Sequence, residues 1–265
     1  MAKIVVTGKI PAGGLARLKA EHDVRAWESE EAISRSELLQ MVKGADAIVS
    51  LLTEKIDAEL LAAAGSQLKS VSNVAVGYNN IDVPACEERG VLVTNTPGVL
   101  TDSTADIAMA LILMCTRRLG EGERVIRAQQ TWQWGMFYML GMGLQGRQLG
   151  IVGMGQIGIA TARRAKAFGM NIAYTRRAPL ESDVEKDLAA KFMSMDELIE
   201  SSDVISIHCP YSPATHHLIS ENQLARMKPS AFLINTARGP IVDEQALVDA
   251  LKAGKIAGAG LDVFE

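Results

Sequence analysis

The sequence predicts an α/β protein made of two doubly wound parallel-sheet domains. Three observations lead there. Apolar runs of strand length recur along the whole chain with helical segments between them, the alternation that a parallel sheet covered by helices on both faces requires. One run passes directly into the glycine-rich turn Gly153-Met154-Gly155-Gln156-Ile157-Gly158 and then into a helical segment. Asn95-Thr96-Pro97-Gly98 divides the runs into two groups, because proline fixes one φ and glycine frees the next. The domain boundary is expected there, with residues 1–98 before it and 99–265 after it.

In the first group, strands are expected at 3–7, 47–51, 69–74 and 91–94, with helices near 12–21, 36–43, 58–64 and 84–89. Past the boundary, residues 104–130 read as one long, mainly apolar helix. It is too hydrophobic over 107–115 for a surface element, and is expected to pack between the domains or against a second subunit. Trp132-Gln133-Trp134-Gly135-Met136-Phe137-Tyr138-Met139 then gathers aromatic and Met residues in a chain that is only 5% aromatic. That segment reads either as an interface or as a loop folded onto its own core. The second group has strands at 148–152, 171–174, 204–207, 232–235 and 258–261, with helices near 156–168, 195–201, 221–227 and 244–253.

With 265 residues, 48% of them hydrophobic and 22% charged, the composition is that of an ordinary globular protein. A formal charge of −4 supplies no basic field for nucleic acid, and no stretch approaches the roughly twenty apolar residues that span a bilayer. The first residues read as a strand entering a loop, without the apolar core and cleavage site of a secretory signal, so a cytoplasmic location is expected. Cys86, Cys115 and Cys209 are widely separated and lack C-x-x-C spacing, which indicates neither a disulfide framework nor a zinc site, and no metal is expected.

The glycine turn carries the chemistry. A buried strand delivers the chain to it, Gly153, Gly155 and Gly158 let backbone approach a pyrophosphate, and a helix opening at Gln156 and Ile157 aims free N–H groups and the positive end of its dipole there. A dinucleotide site is expected. The next strand runs out into Thr175-Arg176-Arg177, where an NAD-selective site would place Asp or Glu against the ribose hydroxyls. A guanidinium suits the oxygens of a 2′-phosphate, so NADP(H) is the expected ligand, with NAD(H) the alternative. The competing reading of these arginines is an exposed basic turn closing a strand.

Several separated motifs then agree. Residues 74–82 (Val-Ala-Val-Gly-Tyr-Asn-Asn-Ile-Asp), Thr94-Asn95-Thr96-Pro97, the glycine turn, His208-Cys209-Pro210, Thr215-His216-His217-Leu218-Ile219, Asn235-Thr236-Ala237-Arg238-Gly239 and Gly260-Leu261-Asp262-Val263-Phe264 together resemble the D-isomer-specific 2-hydroxyacid dehydrogenases. Within that family the likeness is greatest to the glyoxylate and hydroxypyruvate reductases, and it runs along nearly the whole chain. The resemblance implies a flavodoxin-like substrate-binding domain and a Rossmann-like nucleotide domain, an active site in the cleft between them, and a homodimer.

Carried over residue by residue, Arg238 matches the catalytic arginine that grips the carboxylate or carbonyl oxygen of a 2-oxo acid. Its place just past an apolar strand suits the crevice where doubly wound sheets bind ligands. Val76 and Gly77 match the loop whose N–H groups hold the substrate carboxylate, and Leu52 matches a wall of the substrate pocket. Thr104, Gln156, Ile157, Cys209, Pro210, Thr215, Thr236, Ala237 and Asp262 match positions that line the nucleotide and nicotinamide. Asp262 could orient the carboxamide or merely cap a turn. His208 is expected to be a hydrogen-bonded core histidine, and the resemblance gives His216 and His217 no catalytic duty.

The reaction implied is hydride transfer from NADPH to the carbonyl carbon of glyoxylate or hydroxypyruvate. In the family, the proton comes from a histidine well downstream of the segment matching 260–264, supported by a glutamate that would fall at position 267. The sequence ends at Glu265 and also lacks the segment that returns to complete the first domain, so the chain reads as a truncated form. Without the general acid, which contributes factors of about 10² to 10⁴, such a form is expected to bind both ligands and turn over poorly or not at all. Two other readings stay open: a dinucleotide-sensing corepressor-like protein on the same fold, and a dehydrogenase of 3-phosphoglycerate or D-lactate.

Overall fold

The computed structural model describes residues 1–265, which divide into two compact units, Met1–Leu100 and Thr101–Glu265. The first runs β1 (Lys3–Val6), α1 (Ala12–Glu21), β2 (Asp23–Ala26), α2 (Arg35–Met41), β3 (Ala47–Ser50), α3 (Ala58–Ala64), β4 (Ser70–Asn73), α4 (Val83–Glu88) and β5 (Leu92–Thr94). Its five strands are all parallel, in the order β2-β1-β3-β4-β5. Val5, Ile48 and Val71 sit at its centre, where Leu60, Leu61 and Cys86 of the covering helices meet them. The helices start where the sequence offers caps: Ser34 with Glu37 before α2, Asp57 before α3 and Asp82 before α4.

The second unit runs α5 (Thr101–Thr116), α6 (Leu119–Arg127), β6 (Gln148–Val152), α7 (Gln156–Ala167), β7 (Asn171–Thr175), α8 (Ser182–Leu188), β8 (Ala190–Phe192), α9 (Met195–Ser201), β9 (Val204–Ile207), α10 (Glu221–Arg226), β10 (Phe232–Asn235), a 3-10 turn at Gly239–Ile241, α11 (Glu244–Lys252) and β11 (Gly258–Leu261). Its six strands are parallel, in the order β11-β10-β9-β6-β7-β8. Successive residues feed the two faces: Ile151 and Ile234 pack into one core, Val152 and Leu233 into the other. No helix is long and apolar enough to cross a membrane.

One expectation is corrected here. Residues 104–130 do not form one helix. The chain breaks at Arg118, which takes a left-handed φ of 56°. At that break the Thr116 carbonyl accepts from Met142 N–H at 2.7 Å, and a Cβ at Gly141 would lie 2.3 Å from the same oxygen. The returning segment thus occupies the helix end, and Arg118 is held by Glu121 at 2.6 and 2.7 Å. Within its own unit, Ala105, Ala108, Met109 and Ile112 of α5 are buried and α5 packs on α7, β10 and β11, while Ile107 and Met114 stay exposed.

The aromatic segment at 132–139 is not folded into a core, since Trp134 and Phe137 are each 80% exposed. The edge strands β2 and β8 and the helix α8 fall outside the predicted elements. Asp-Val-Arg-Ala and Ala-Lys-Phe are short and charged, as edge strands tend to be, and carry no apolar run to announce them.

Candidate functional site

Numbered within its own unit, the second sheet has the order 3-2-1-4-5-6, which reverses direction between β6 and β9. Ligands of such sheets bind beyond the carboxyl ends of the strands at that reversal. The glycine turn stands there. Gly153 has a φ of 96°, and a Cβ on it would lie 2.4 Å from the Cys209 nitrogen at the end of β9, so only glycine lets the two strand ends meet. A Cβ on Gly158 would lie 2.6 Å from the Gly153 carbonyl oxygen, which seats α7 close under the turn. At Gly155 a Cβ would meet nothing within 4 Å. This position has room on its outer side, where backbone could approach a ligand. Gly155 is also the cap residue of α7 and puts no side chain on the first N–H groups of the helix at Gln156 and Ile157.

β7 is the neighbour of β6, and Gly153 N–H donates to the Thr175 carbonyl at 3.0 Å. Arg176 and Arg177 therefore follow directly beside the turn, both exposed, and Arg176 Nη1 reaches the Met154 carbonyl at 3.4 Å. On the other side, the start of α5 meets the start of α7 through Thr101 Oγ1 and Gln156 Oε1 at 3.4 Å, and Thr104 stands one turn further along α5. Past β9, Thr215 Oγ1 donates to the Pro210 carbonyl at 2.9 Å and accepts from Ser212 N–H at 2.8 Å, so it closes the 210–215 turn. Burial pushes the Cys209 thiol up to about 11 and holds His208 down to about 4. His208 is thus a neutral imidazole at pH 7, 2.9 Å from Ser206 Oγ.

The end of β10 holds the remaining predicted residues of this unit. Asn235 organises the turn, its Oδ1 accepting from Ala237 N–H at 3.0 Å and its Nδ2 donating to the Arg238 carbonyl at 2.9 Å. Between them Thr236 is only 8% exposed, and its hydroxyl finds no partner in the chain. A buried hydroxyl left so is uncommon; His22 Nδ1 and Thr161 Oγ1 share that state, and of the three Thr236 is the one at the end of a strand beside the glycine turn's sheet reversal. Arg238 is half-buried, with Nη1 on the Ala237 carbonyl at 2.6 Å, and desolvation lowers its pKa from the ordinary arginine value. Asp262 follows β11, the neighbouring strand, exposed and with its N–H on the Asn235 carbonyl at 3.0 Å. A dinucleotide fits these residues: the open side of Gly155, the uncapped helix end and the orphaned Thr236 hydroxyl are three places that the chain itself leaves for one.

The first unit has strand order 2-1-3-4-5, with its own reversal between β1 and β3. Leu52 lies just past β3 and the Val76-Gly77 turn just past β4, at the carboxyl ends of adjacent parallel strands. The side chains that hold them went unread in the sequence. Glu54, 7% exposed, accepts from Thr7 Oγ1 at 2.5 Å and from Leu51 N–H at 2.8 Å. Asn73, 1% exposed, donates from Nδ2 to the Gly77 carbonyl at 2.8 Å. Asn95 donates to the Val76 carbonyl at 2.8 Å, and Asn80 to the carbonyls of Leu51 and Glu54 at 3.1 and 3.0 Å. The available signal was an Asn closing the strand at 70–73 on the same face as the buried Val71, since a buried amide must spend its hydrogen bonds on something specific.

Residues 109–265 match the family model described as D-isomer specific 2-hydroxyacid dehydrogenase, NAD binding domain. The chain is similar to the glyoxylate reductase of Korarchaeum cryptofilum (strain OPF8), at 48% identity over 265 residues that cover 99% of this chain and 79% of that protein. Among solved structures it is similar to a glyoxylate reductase from Paecilomyes thermophila, with a TM-score of 0.90 and 36% identity, covering 100% of this chain and 82% of that one. It is also similar to D-lactate dehydrogenase from Aquifex aeolicus complexed with NAD and lactic acid, with a TM-score of 0.86 and 32% identity, covering 99% of this chain and 77% of that one.

Proposed function

The chain belongs to the D-isomer specific 2-hydroxyacid dehydrogenase family, and from that premise we propose that it reduces a small 2-oxo acid, glyoxylate or hydroxypyruvate, with NADPH. The observation that carries the reading is the end of β10, where an orphaned buried hydroxyl on Thr236 stands two residues before the half-buried guanidinium of Arg238. The nicotinamide, when bound, supplies the hydride. Arg238 holds the carboxylate or carbonyl oxygen of the substrate, and its partial desolvation strengthens the attraction for developing negative charge. The N–H groups of Val76 and Gly77 take the substrate carboxylate, and Leu52 bounds the space for its substituent.

In the nucleotide unit, Gly153, Gly155 and Gly158 shape the pyrophosphate turn, and the N–H groups of Gln156 and Ile157 face the phosphates. Arg176 and Arg177, with Thr175, receive the 2′-phosphate, which is the reason for preferring NADPH over NADH. Thr104, Cys209, Pro210, Thr215, Thr236, Ala237 and Asp262 line the remainder. No residue among 1–265 is assigned the role of proton donor: the neutral, Ser206-bonded His208 serves structure. We extend the reading to a homodimer, supported by the exposed aromatic surface of Trp132, Trp134, Phe137 and Tyr138, which sedimentation velocity across a concentration series tests.

Calorimetric titration of NADPH and NADH, followed by oxalate as a non-reducible analogue of the 2-oxo acid, tests the function. NADPH is expected to bind more tightly than NADH, and oxalate to bind the coenzyme-loaded protein. Coenzyme binding with no oxalate binding would instead point to a nucleotide sensor on this fold. No heat from either coenzyme would overturn the proposal altogether.

A further inference from the structure

Residues 74–80 leave β4 as a tight turn in which four successive carbonyls are committed. Ala75 accepts from Thr96 N–H at 2.9 Å, Val76 from Asn95 Nδ2 at 2.8 Å, Gly77 from Asn73 Nδ2 at 2.8 Å and Tyr78 from Ile81 N–H at 3.0 Å. Four consecutive carbonyl oxygens are thus drawn onto the chain's own donors. The N–H groups of Val76 and Gly77, by contrast, meet no acceptor within the chain. A run of backbone with its oxygens turned to internal donors and its N–H groups left open attracts an anion, since the carbonyl dipoles that would repel it are turned elsewhere.

The donors are themselves fixed. Asn73 and Asn80 are amide to amide, with Asn73 Nδ2 to Asn80 Oδ1 at 3.2 Å and Asn80 Nδ2 to Asn73 Oδ1 at 3.3 Å. Ser50 Oγ, fully buried in β3, donates to Asn73 Oδ1 at 2.9 Å. The remaining reach of Asn80 Nδ2 goes to the carbonyls of Leu51 and Glu54, so one amide pair joins the loop that carries Leu52 to the turn that carries Val76 and Gly77.

We propose that Asn73, Asn80 and Asn95 are positioning residues for substrate: Asn73 and Asn95 take the carbonyls of Gly77 and Val76, so that the 74–80 turn presents N–H groups, those of Val76 and Gly77 among them, to a 2-oxo acid, and Asn80 ties the Leu52 loop to that turn through Asn73. The proposal rests on the functional reading above. An aspartate at 80 keeps the shape of the side chain but turns its donor into an acceptor facing two carbonyls. An alanine at 95 frees the Val76 carbonyl at a half-buried position, and the unfolding measurement below reads whether the fold holds.

The experiment titrates oxalate into NADPH-saturated wild type, Asn80→Asp and Asn95→Ala. In parallel, it follows the backbone amide resonances of Val76 and Gly77 and measures NADPH affinity and thermal unfolding. Wild type is expected to bind oxalate with downfield shifts at both amides. Both variants are expected to lose about tenfold or more in oxalate affinity, the scale of one charge-assisted hydrogen bond, and to show reduced amide shifts while NADPH affinity holds within about twofold. Unchanged oxalate affinity in folded Asn95→Ala overturns the inference, as does a weakened affinity that leaves both amide shifts intact. Wild type that binds NADPH but not oxalate removes the functional reading itself, and this inference with it; that result is visible in wild type alone.

Discussion

Thr236 and Arg176 are residues at which the proposed ligand role can be separated from folding. A buried hydroxyl without a partner costs the unliganded fold about 1–3 kcal/mol, so Thr236→Val is expected to leave its stability unchanged or raise it slightly while lowering coenzyme affinity about tenfold. Denaturant melts and calorimetry on the same preparation check both halves. Arg176 is exposed, and its one hydrogen bond within the chain is the long one to Met154, so Arg176→Ala is expected to cost little stability. It is expected to weaken NADPH about tenfold or more and NADH by less than about twofold, which a pair of titrations decides. The place of the two arginines, exposed beside the glycine turn at the end of β7, was legible because they follow an apolar strand directly. The orphaned state of Thr236 was not, since it depends on which donors and acceptors the fold brings near.

The glycine turn separates two kinds of glycine. Gly153 is required by the fold, through its positive φ and the backbone of Cys209 at 2.4 Å from a Cβ placed there, so Gly153→Ala is expected to destabilise the protein by about 3 kcal/mol. Gly155 has open space, and alanine at a helix cap costs only about a kcal/mol or less. Gly155→Ala is therefore expected to fold nearly as well as wild type and to lose dinucleotide binding, a contrast that urea titration with and without NADPH reads directly. The spacing of these glycines stands in the sequence; which of them serves the fold and which leaves room for a ligand does not. The same limit explains the long-helix expectation at 104–130. Nothing local forbids a continued helix at Arg117 and Arg118, and the break comes from Met142, 26 residues past Thr116, taking its carbonyl.

At the scale of the whole molecule, His208 adds a pH dependence. Its unfolded pKa is about 6.5, and burial brings the folded value to about 4. Between those values the unfolded chain holds the proton and the native protein does not. Stability is therefore full above about pH 6.5 and declines as the pH falls toward 4, by up to about 3 kcal/mol from this group. His208→Asn is expected to flatten that part of the curve in denaturant melts at a series of pH values. What the sequence determined by itself was the alternation of strands and helices, the glycine turn between β6 and α7 and the family to which the chain belongs, because periodicity, glycine spacing and motif order are properties of neighbouring residues. Tertiary structure alone decided that strands ordered 2-1-3-4-5 and 3-2-1-4-5-6 gather those loops at their carboxyl ends. It alone decided, too, that Asn73 and Asn95 take the carbonyls of Gly77 and Val76 while Asn80 reaches the loop after β3. The reason is physical: a buried hydrogen bond is specified by the two groups that meet, and those groups come from strands and loops far apart in the chain.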